Sequence, residues 1–401
     1  MVLSQISGRD CYSPGNGSDL RLGDETETPT AMDIFSGCGG ASLGFVLRGF
    51  EIVASIDNDA SACKTYKANL GGDPIVDDVK EFSGNDLLKQ SGMARGETTV
   101  VIGCPPCQGF SRLRKQHSDK RNRLIFDFIG IVRQVRPKFV TFENVPGVLE
   151  VAGGRYFRQL RSELSSMGYH SVYSSVNAVN YSVPQFRRRV LLLATRLKRL
   201  ARDLRLPAST HCPPWDARRA EGLDRWMTVR DAIGDLPPIR SGERFTSIAN
   251  HVSRNLSDAV LKKVVKIPVN GGSRTDLKKS MWLDCHRDVD GNIGFRDVYG
   301  RLRWDNPSNT ITSGCTNPSK GRFLHPEQDR ALSLREAARL QSFPDSLSSV
   351  EGFCNDFQFF GNHGEVATQI GNALPVRLGE AIAETISHIR NGTTALGKGL
   401  K

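Results

Sequence analysis

The chain has 401 residues, 38% of them hydrophobic and 24% charged, enough to bury a substantial core in two domains and unlike a disordered or fibrous sequence. Lysine and arginine number 54 against 43 aspartates and glutamates, and the net +11 favours a polyanionic partner without excluding a mildly basic metabolic enzyme. No run of about 18 apolar residues exists, residues 1–30 lack the apolar core of a signal peptide, and the nine cysteines are odd in number and scattered, so the expectation is a cytoplasmic protein with reduced thiols and no membrane contact.

Residues 1–30 are polar, net negative and turn-rich, the composition of a mobile tail. Short β-branched runs then follow at 32–35, 52–56, 98–102 and 139–142, separated by helical patterns at 60–69, 124–134 and 157–167. This alternation predicts an α/β fold built on a parallel sheet covered on both faces, occupying residues 31–195. Two further strand-like runs, 170–178 and 190–195, have no helix between them and predict a hairpin-like end to the sheet. From residue 196 prolines multiply and periodicity fades, predicting a smaller, irregular second domain. Residues 196–296 carry 20 Lys and Arg against 12 Asp and Glu, so most of the positive charge sits there, placed to meet phosphates. Helical periodicity returns at 333–341 and 377–388.

The first strand runs into Asp33-Ile-Phe35-Ser-Gly37-Cys-Gly39-Gly40, whose glycines let a ligand approach the backbone at a helix start. Alone, such a turn is a weak signal. The second strand ends at Asp57, where a carboxylate can accept from ribose hydroxyls, and Asp78 is placed to bind an adenine amino group. Gly37-x-Gly39-Gly40 departs from the Gly-x-Gly-x-x-Gly of a pyrophosphate site, which favours S-adenosylmethionine over NAD.

Directly after the third strand stands Gly103-Cys104-Pro105-Pro106-Cys107-Gln108-Gly109-Phe110-Ser111. As Cys-x-x-Cys it could be a redox pair or half a zinc site, but no second pair exists and Cys212 and Cys285, with His211 and His286, lack ligand spacing; no metal is expected. Cys107 lies among Pro, Gln and Gly, not in an apolar run, as a reactive thiol would.

With Pro-Cys-Gln followed by a strand ending in Glu143-Asn144-Val145, the sequence resembles the cytosine-C5 DNA methyltransferases of the bacterial modification type. The resemblance covers residues 31–390 and includes, in family order, Gln185-Phe-Arg187-Arg-Arg189, Asn306-Pro-Ser-Asn-Thr310-Ile311-Thr312 and Gly371-Asn372-Ala373-Leu374. It implies a Rossmann-like methyltransferase sheet, with residues 196–365 as the target-recognition domain and residues 366–392 returning to the catalytic domain. It assigns Cys107 as the nucleophile that attacks C6 of the base. Glu143 would bond N3 and the exocyclic amine, protonated through burial or a like-charged neighbour, and Arg189, with Arg187, would hold O2 and the Glu143 carboxyl. Cofactor contacts would come from Phe35, Gly37, Gly39, Asp57, Asp78, Leu124 and Asn372. Because C5 and C6 are inaccessible in a stacked pair, the resemblance implies a base flipped from double-stranded DNA. A monomer, nucleoid association and a cognate restriction endonuclease complete these expectations. The rivals are the same chemistry on a transfer RNA and a non-enzymatic DNA-binding derivative. Locally, Phe35 could be core packing, Asn372 a helix N-cap, Glu143 a salt-bridged loop carboxylate, and Arg335 and Glu336 mere helix-surface pairs.

Overall fold

The computed structural model describes residues 27–106, 109–110, 120–282, 297–348, 353 and 355–392, so most of the expected N-terminal tail lies outside the described residues. The apolar runs form strands β1 (Thr30–Ile34), β2 (Glu51–Asp57), β3 (Ile75–Val76), β4 (Val100–Gly103), β5 (Phe139–Asn144), β6 (His170–Asn177) and β7 (Arg188–Thr195). They make one seven-stranded sheet in the order β3-β2-β1-β4-β5-β7-β6, parallel from β3 to β5. The last two strands do pair antiparallel, but β7 lies inside the sheet between β5 and β6. The reason is burial: from Arg189 to Thr195 every residue of β7 is buried, whereas β6 is exposed or half-buried throughout and suits an edge.

Helices α1 (Gly40–Val46), α2 (Ala60–Leu70), α3 (Gly84–Ser91), α4 (Leu124–Val135) and α5 (Arg155–Ser166) connect and cover these strands. After the sheet come a short parallel pair, β8 (His211–Cys212) and β9 (Asp224–Arg225), and helices α6 (Val229–Ile233), α7 (Asp258–Val264), α8 (Leu334–Leu340), α9 (His363–Asn372) and α10 (Val376–Arg390).

Strand alternation divides the core. Met32, Ile34, Val101 and Phe142 face α3, α4 and α5, while Ala31, Val100, Ile102 and Phe139 face α1 and α10. A third cluster joins α6, α8 and α9 to Cys38 and Leu43. The smallest, around α7, holds Leu256, Val264, Ile267 and Leu324.

Arg335 and Glu336 are not helix-surface pairs. Helix α8 is buried nearly all round, and both side chains lie inside. Polar groups there require partners: Arg330 grips Glu336 with bonds of 2.7 and 2.6 Å, and Arg335 donates to the carbonyls of Ala249 at 2.8 Å and Pro344 at 3.2 Å.

Helix α10 approaches α1 at Gly44, where an added Cβ would stand 2.6 Å from both the Glu380 nitrogen and the Val376 oxygen. Gly44→Ala is therefore expected to cost roughly 1–3 kcal/mol, read as a lower midpoint in urea or thermal unfolding. Gly130→Ala, in α4 with open space around the new methyl, is the control and is expected to be neutral or stabilising by up to about 1 kcal/mol.

Candidate active site

Four neighbouring strands stop at one level: Ile34 pairs with Ile56 and with Gly103, and Gly103 pairs with Phe142. The segments that follow them line one cavity of about 460 Å³ at the carboxyl edge of the sheet, where the strand order changes direction between β1 and β4. The sheet order arranges the lining: Asp78 beyond β3, Asp57 at the end of β2, Phe35 to Cys38 after β1, Cys104 to Pro106 after β4, and Glu143 on β5.

The β1 turn depends on left-handed backbone, with φ of 67° at Phe35 and 52° at Gly37. It delivers the Gly37 N–H to Asp57 Oδ2 at 2.8 Å, while the Asp59 N–H donates to Oδ1 at 2.9 Å. Asp57 is thus held by two backbone donors at the cavity wall, and burial raises its pKa above the usual carboxylate value.

Of the residues expected to meet a cofactor, Phe35, Gly37, Asp57, Asp78, Leu124 and Asn372 line this one cavity. Phe35 also packs against the sheet core, so the two readings of it are compatible. Gly39 is not part of the lining; its missing Cβ faces α2, where a methyl would stand 2.6 Å from Leu70 Cδ1. Asn372 is the last residue of α9, and the N-cap position of α10 is Pro375, so Asn372 is not a helix N-cap.

Glu143 and Arg189 line the same cavity. Their side chains are only 13% and 10% exposed, and Arg189 Nε lies 2.6 Å from Glu143 Oε1. Glu143 belongs to β5, which continues to Asn144, so it is a strand residue and not a loop carboxylate. The close neighbour of Glu143 is a cation, not the like-charged group that the sequence reading allowed for. Arg187 points elsewhere: Nη1 donates to Ile311 O at 2.7 Å, and Nη2 donates to Gly371 O at 2.9 Å and Ala373 O at 3.1 Å. It clamps three carbonyls from distant segments and is not in the cavity wall.

Cys107 lies outside the described residues, but Pro106 immediately before it lines the cavity. Asn144, which the sequence reading quoted without a role, donates from Nδ2 to Pro105 O at 3.1 Å and ties the segment leading to Cys107 onto β5. Ser36, Asp59, Arg121 and Thr368 also line the cavity, and no sequence motif assigns them a role. Ser36 was within reach, since it sits inside the Gly-rich turn. Thr368 was not, because only folding brings α9 to this edge.

The pattern of the C-5 cytosine-specific DNA methylases matches residues 30–388. The chain belongs to this family. Type II methylase M.HgiDII of Herpetosiphon aurantiacus is 34% identical over 362 residues, 90% of this chain and 96% of its own. Type II methyltransferase M1.HphI of Haemophilus parahaemolyticus is 33% identical, covering 89% of this chain and 86% of its own. Among solved structures, a candidate DNA modification methyltransferase from an E. coli prophage superposes with a TM-score of 0.64 at 22% identity, over 90% of this chain and 99% of that one, a likeness of fold. The protein is thus a cytosine-C5 DNA methyltransferase with a Rossmann-like sheet, and the RNA and non-enzymatic readings are not favoured. Among the described residues no helix is long and apolar enough to cross a membrane.

Two arginines of this methyltransferase, two positions apart, should respond differently to substitution. Arg187→Ala strands three carbonyls and is expected to destabilise the fold by about 3 kcal/mol or more. Arg189→Lys, which keeps a cation beside Glu143, is expected to keep most of the unfolding midpoint while methyl transfer falls, which parallel denaturation and single-turnover assays would separate.

Proposed function

We propose that the enzyme transfers a methyl group from S-adenosylmethionine to C5 of a cytosine flipped out of a specific duplex DNA sequence, through a covalent bond from Cys107 to C6. The carrying observation is that the Asp57 and Asp78 end and the Glu143 and Arg189 end belong to one continuous cavity, with the β1 and β4 turns between them.

The lining fits this cofactor. Ser36 Oγ is buried at the wall and has no partner among the described residues, leaving a hydrogen bond for a ligand. Asp57, Asp59, Asp77, Asp78 and Glu143 outnumber Lys80, Arg121 and Arg189 among the described lining residues, a balance that suits a cationic ligand better than a pyrophosphate. Asp57 would hold the ribose hydroxyls, Asp78 the adenine amino group, and Phe35, Gly37, Leu124 and Asn372 would complete the enclosure. When bound, S-adenosylmethionine supplies an electrophilic methyl group.

C5 of cytosine is too weak a nucleophile to take that methyl unaided. The Cys107 thiolate adds to C6 and pushes electron density toward C5, N3 and O2. Glu143, fixed by Arg189 at 2.6 Å, bonds the N3 and amine edge, and the Arg189 guanidinium stabilises the O2 side. Once C5 carries the methyl group, a base takes the C5 proton, the freed electron pair re-forms the C5–C6 double bond, and the Cys107 sulfur leaves as the thiolate. The target must leave the helix for C6 to be attacked, and the basic segment 196–296 would grip the duplex meanwhile. Arg187 supports the reaction from outside the cavity by holding the Ile311 and Ala373 segments. In this reading the protein is a monomer, cytoplasmic and nucleoid-associated, and protects DNA from a cognate endonuclease.

The test is incubation with labelled S-adenosylmethionine and unmethylated genomic DNA, followed by sequencing that distinguishes C5 from N4 methylation. Methylation at C5 within one short motif is the expected result. Cys107→Ser is expected to abolish transfer and adduct formation with a fluorocytosine duplex while cofactor binding persists; full activity in that variant would overturn the nucleophile.

A further inference from the structure

One carboxyl beneath the cavity has no part in the roles above. Asp33 is fully buried in β1, in register with Ser55 of β2 and Ile102 of β4. Its Oδ2 accepts from Ser42 Oγ at 2.6 Å, and Ser42 Oγ accepts in turn from Tyr66 Oη at 3.0 Å, a chain running from β1 through α1 to α2. The Ser42 backbone N–H also acts on the carboxyl, and among the described residues Oδ1 is buried with no hydrogen-bond partner. A purely structural site would be better served by an apolar residue or a fully bonded one, because a bare buried oxygen is costly.

The titratable groups acting with Asp33 come from three directions: Asp57 at the end of β2, Tyr66 on α2, and Cys104 just past β4. Asp57 and Cys104 both line the cavity, so the field of Asp33 reaches it on either side of β1. The strand order puts the ribose site at β2 and the target-base site at β5. A cofactor running from the ribose site to the target-base site would carry its reacting sulfur across β1 and β4. That sulfur is a sulfonium cation before transfer and a neutral thioether after it, and a buried counter-charge there would act on one and not on the other.

We propose that Asp33 is the buried counter-charge by which the enzyme distinguishes the cationic methyl donor from its neutral demethylated product. The inference rests on the reading of the cavity as an S-adenosylmethionine site. Burial pushes the Asp33 carboxyl up to about 7, with the Ser42 hydrogen bond opposing the shift and Asp57 reinforcing it. A cation overhead favours the carboxylate, so donor binding lowers this pKa and releases a proton around and just below neutrality. Donor affinity therefore rises with pH through that window and levels off above it. The neutral product leaves Asp33 as it was and shows no such rise. A one-unit fall on donor binding corresponds to about a tenfold gain in affinity. The selectivity favours donor over spent product at and above neutral pH, and it weakens in acid.

The experiment is equilibrium binding of S-adenosylmethionine and S-adenosylhomocysteine to the full chain from about pH 5.5 to about pH 8, for the wild type, Asp33→Asn and Ser42→Ala. The donor's wild-type affinity should rise about tenfold across the range relative to Asp33→Asn, while the product's should not. Calorimetry in buffers of different ionisation heat should detect proton release for the donor alone. Ser42→Ala keeps the carboxyl and the Ser42 backbone N–H but removes the hydroxyl bond, the larger of the two Ser42 bonds that lower its pKa, so its rise should move to higher pH, which preserves the test if Asp33→Asn does not fold. Equal pH dependence for donor and product in the wild type, or an unmoved profile in Ser42→Ala, would overturn the inference. A folded wild type that binds neither ligand at any pH would instead overturn the cofactor reading beneath it.

Discussion

The site depends on a single backbone constraint, the register that makes β1, β2, β4 and β5 end together. Ile34 faces Ile56 on one side and Gly103 on the other, and Gly103 faces Phe142. Every residue with a chemical role in the sheet lies within a few positions of that line. A slip of one residue in any pair would turn its apolar set to the wrong face. Such a slip would cost the core far more than a misplaced turn would, so core packing is what holds Asp57, the β1 turn and Glu143 to a common edge.

The cavity is finished by segments remote in sequence. Helix α9 brings Thr368 and Asn372 to the wall, and α10 is seated on α1 by a glycine contact that admits no side chain. Arg187 adds the clamp across Ile311, Gly371 and Ala373. The cavity edge is therefore closed by α9, far along the chain from the strands it covers.

In the irregular stretch that follows β9, buried arginines take over work that regular secondary structure does elsewhere. Its irregular loops bury carbonyls without a helix or sheet ladder to satisfy them. Arg301 donates to Ile267 O at 3.1 Å, Val264 O at 3.1 Å and His325 O at 3.1 Å, and Arg335 serves carbonyls of Ala249 and Pro344 in the same way. A guanidinium carries five donors in a rigid plane, so one side chain can fix several strands of loop. Both arginines lie outside residues 196–296, the stretch whose charge is placed to meet phosphates, and both are internal scaffolding.

Local order was legible in the sequence. Short β-branched runs marked the sheet strands from β1 to β7 except the short β3, and the ordered motifs from Asp33 to Leu374 identified the family, because backbone preference and Gly and Pro punctuation act over a few residues. What tertiary structure alone decided were contacts spanning long stretches of chain. The insertion of β7 between β5 and β6, the cavity-facing Arg189 against the inward Arg187, and Gly39 turned toward α2 all follow from which surfaces meet. The burial of Arg335 and Glu336 follows from the same cause, as does the bare oxygen of Asp33. No spacing of residues encodes such contacts, since burial and field at a position are set by neighbours that only the folded chain supplies.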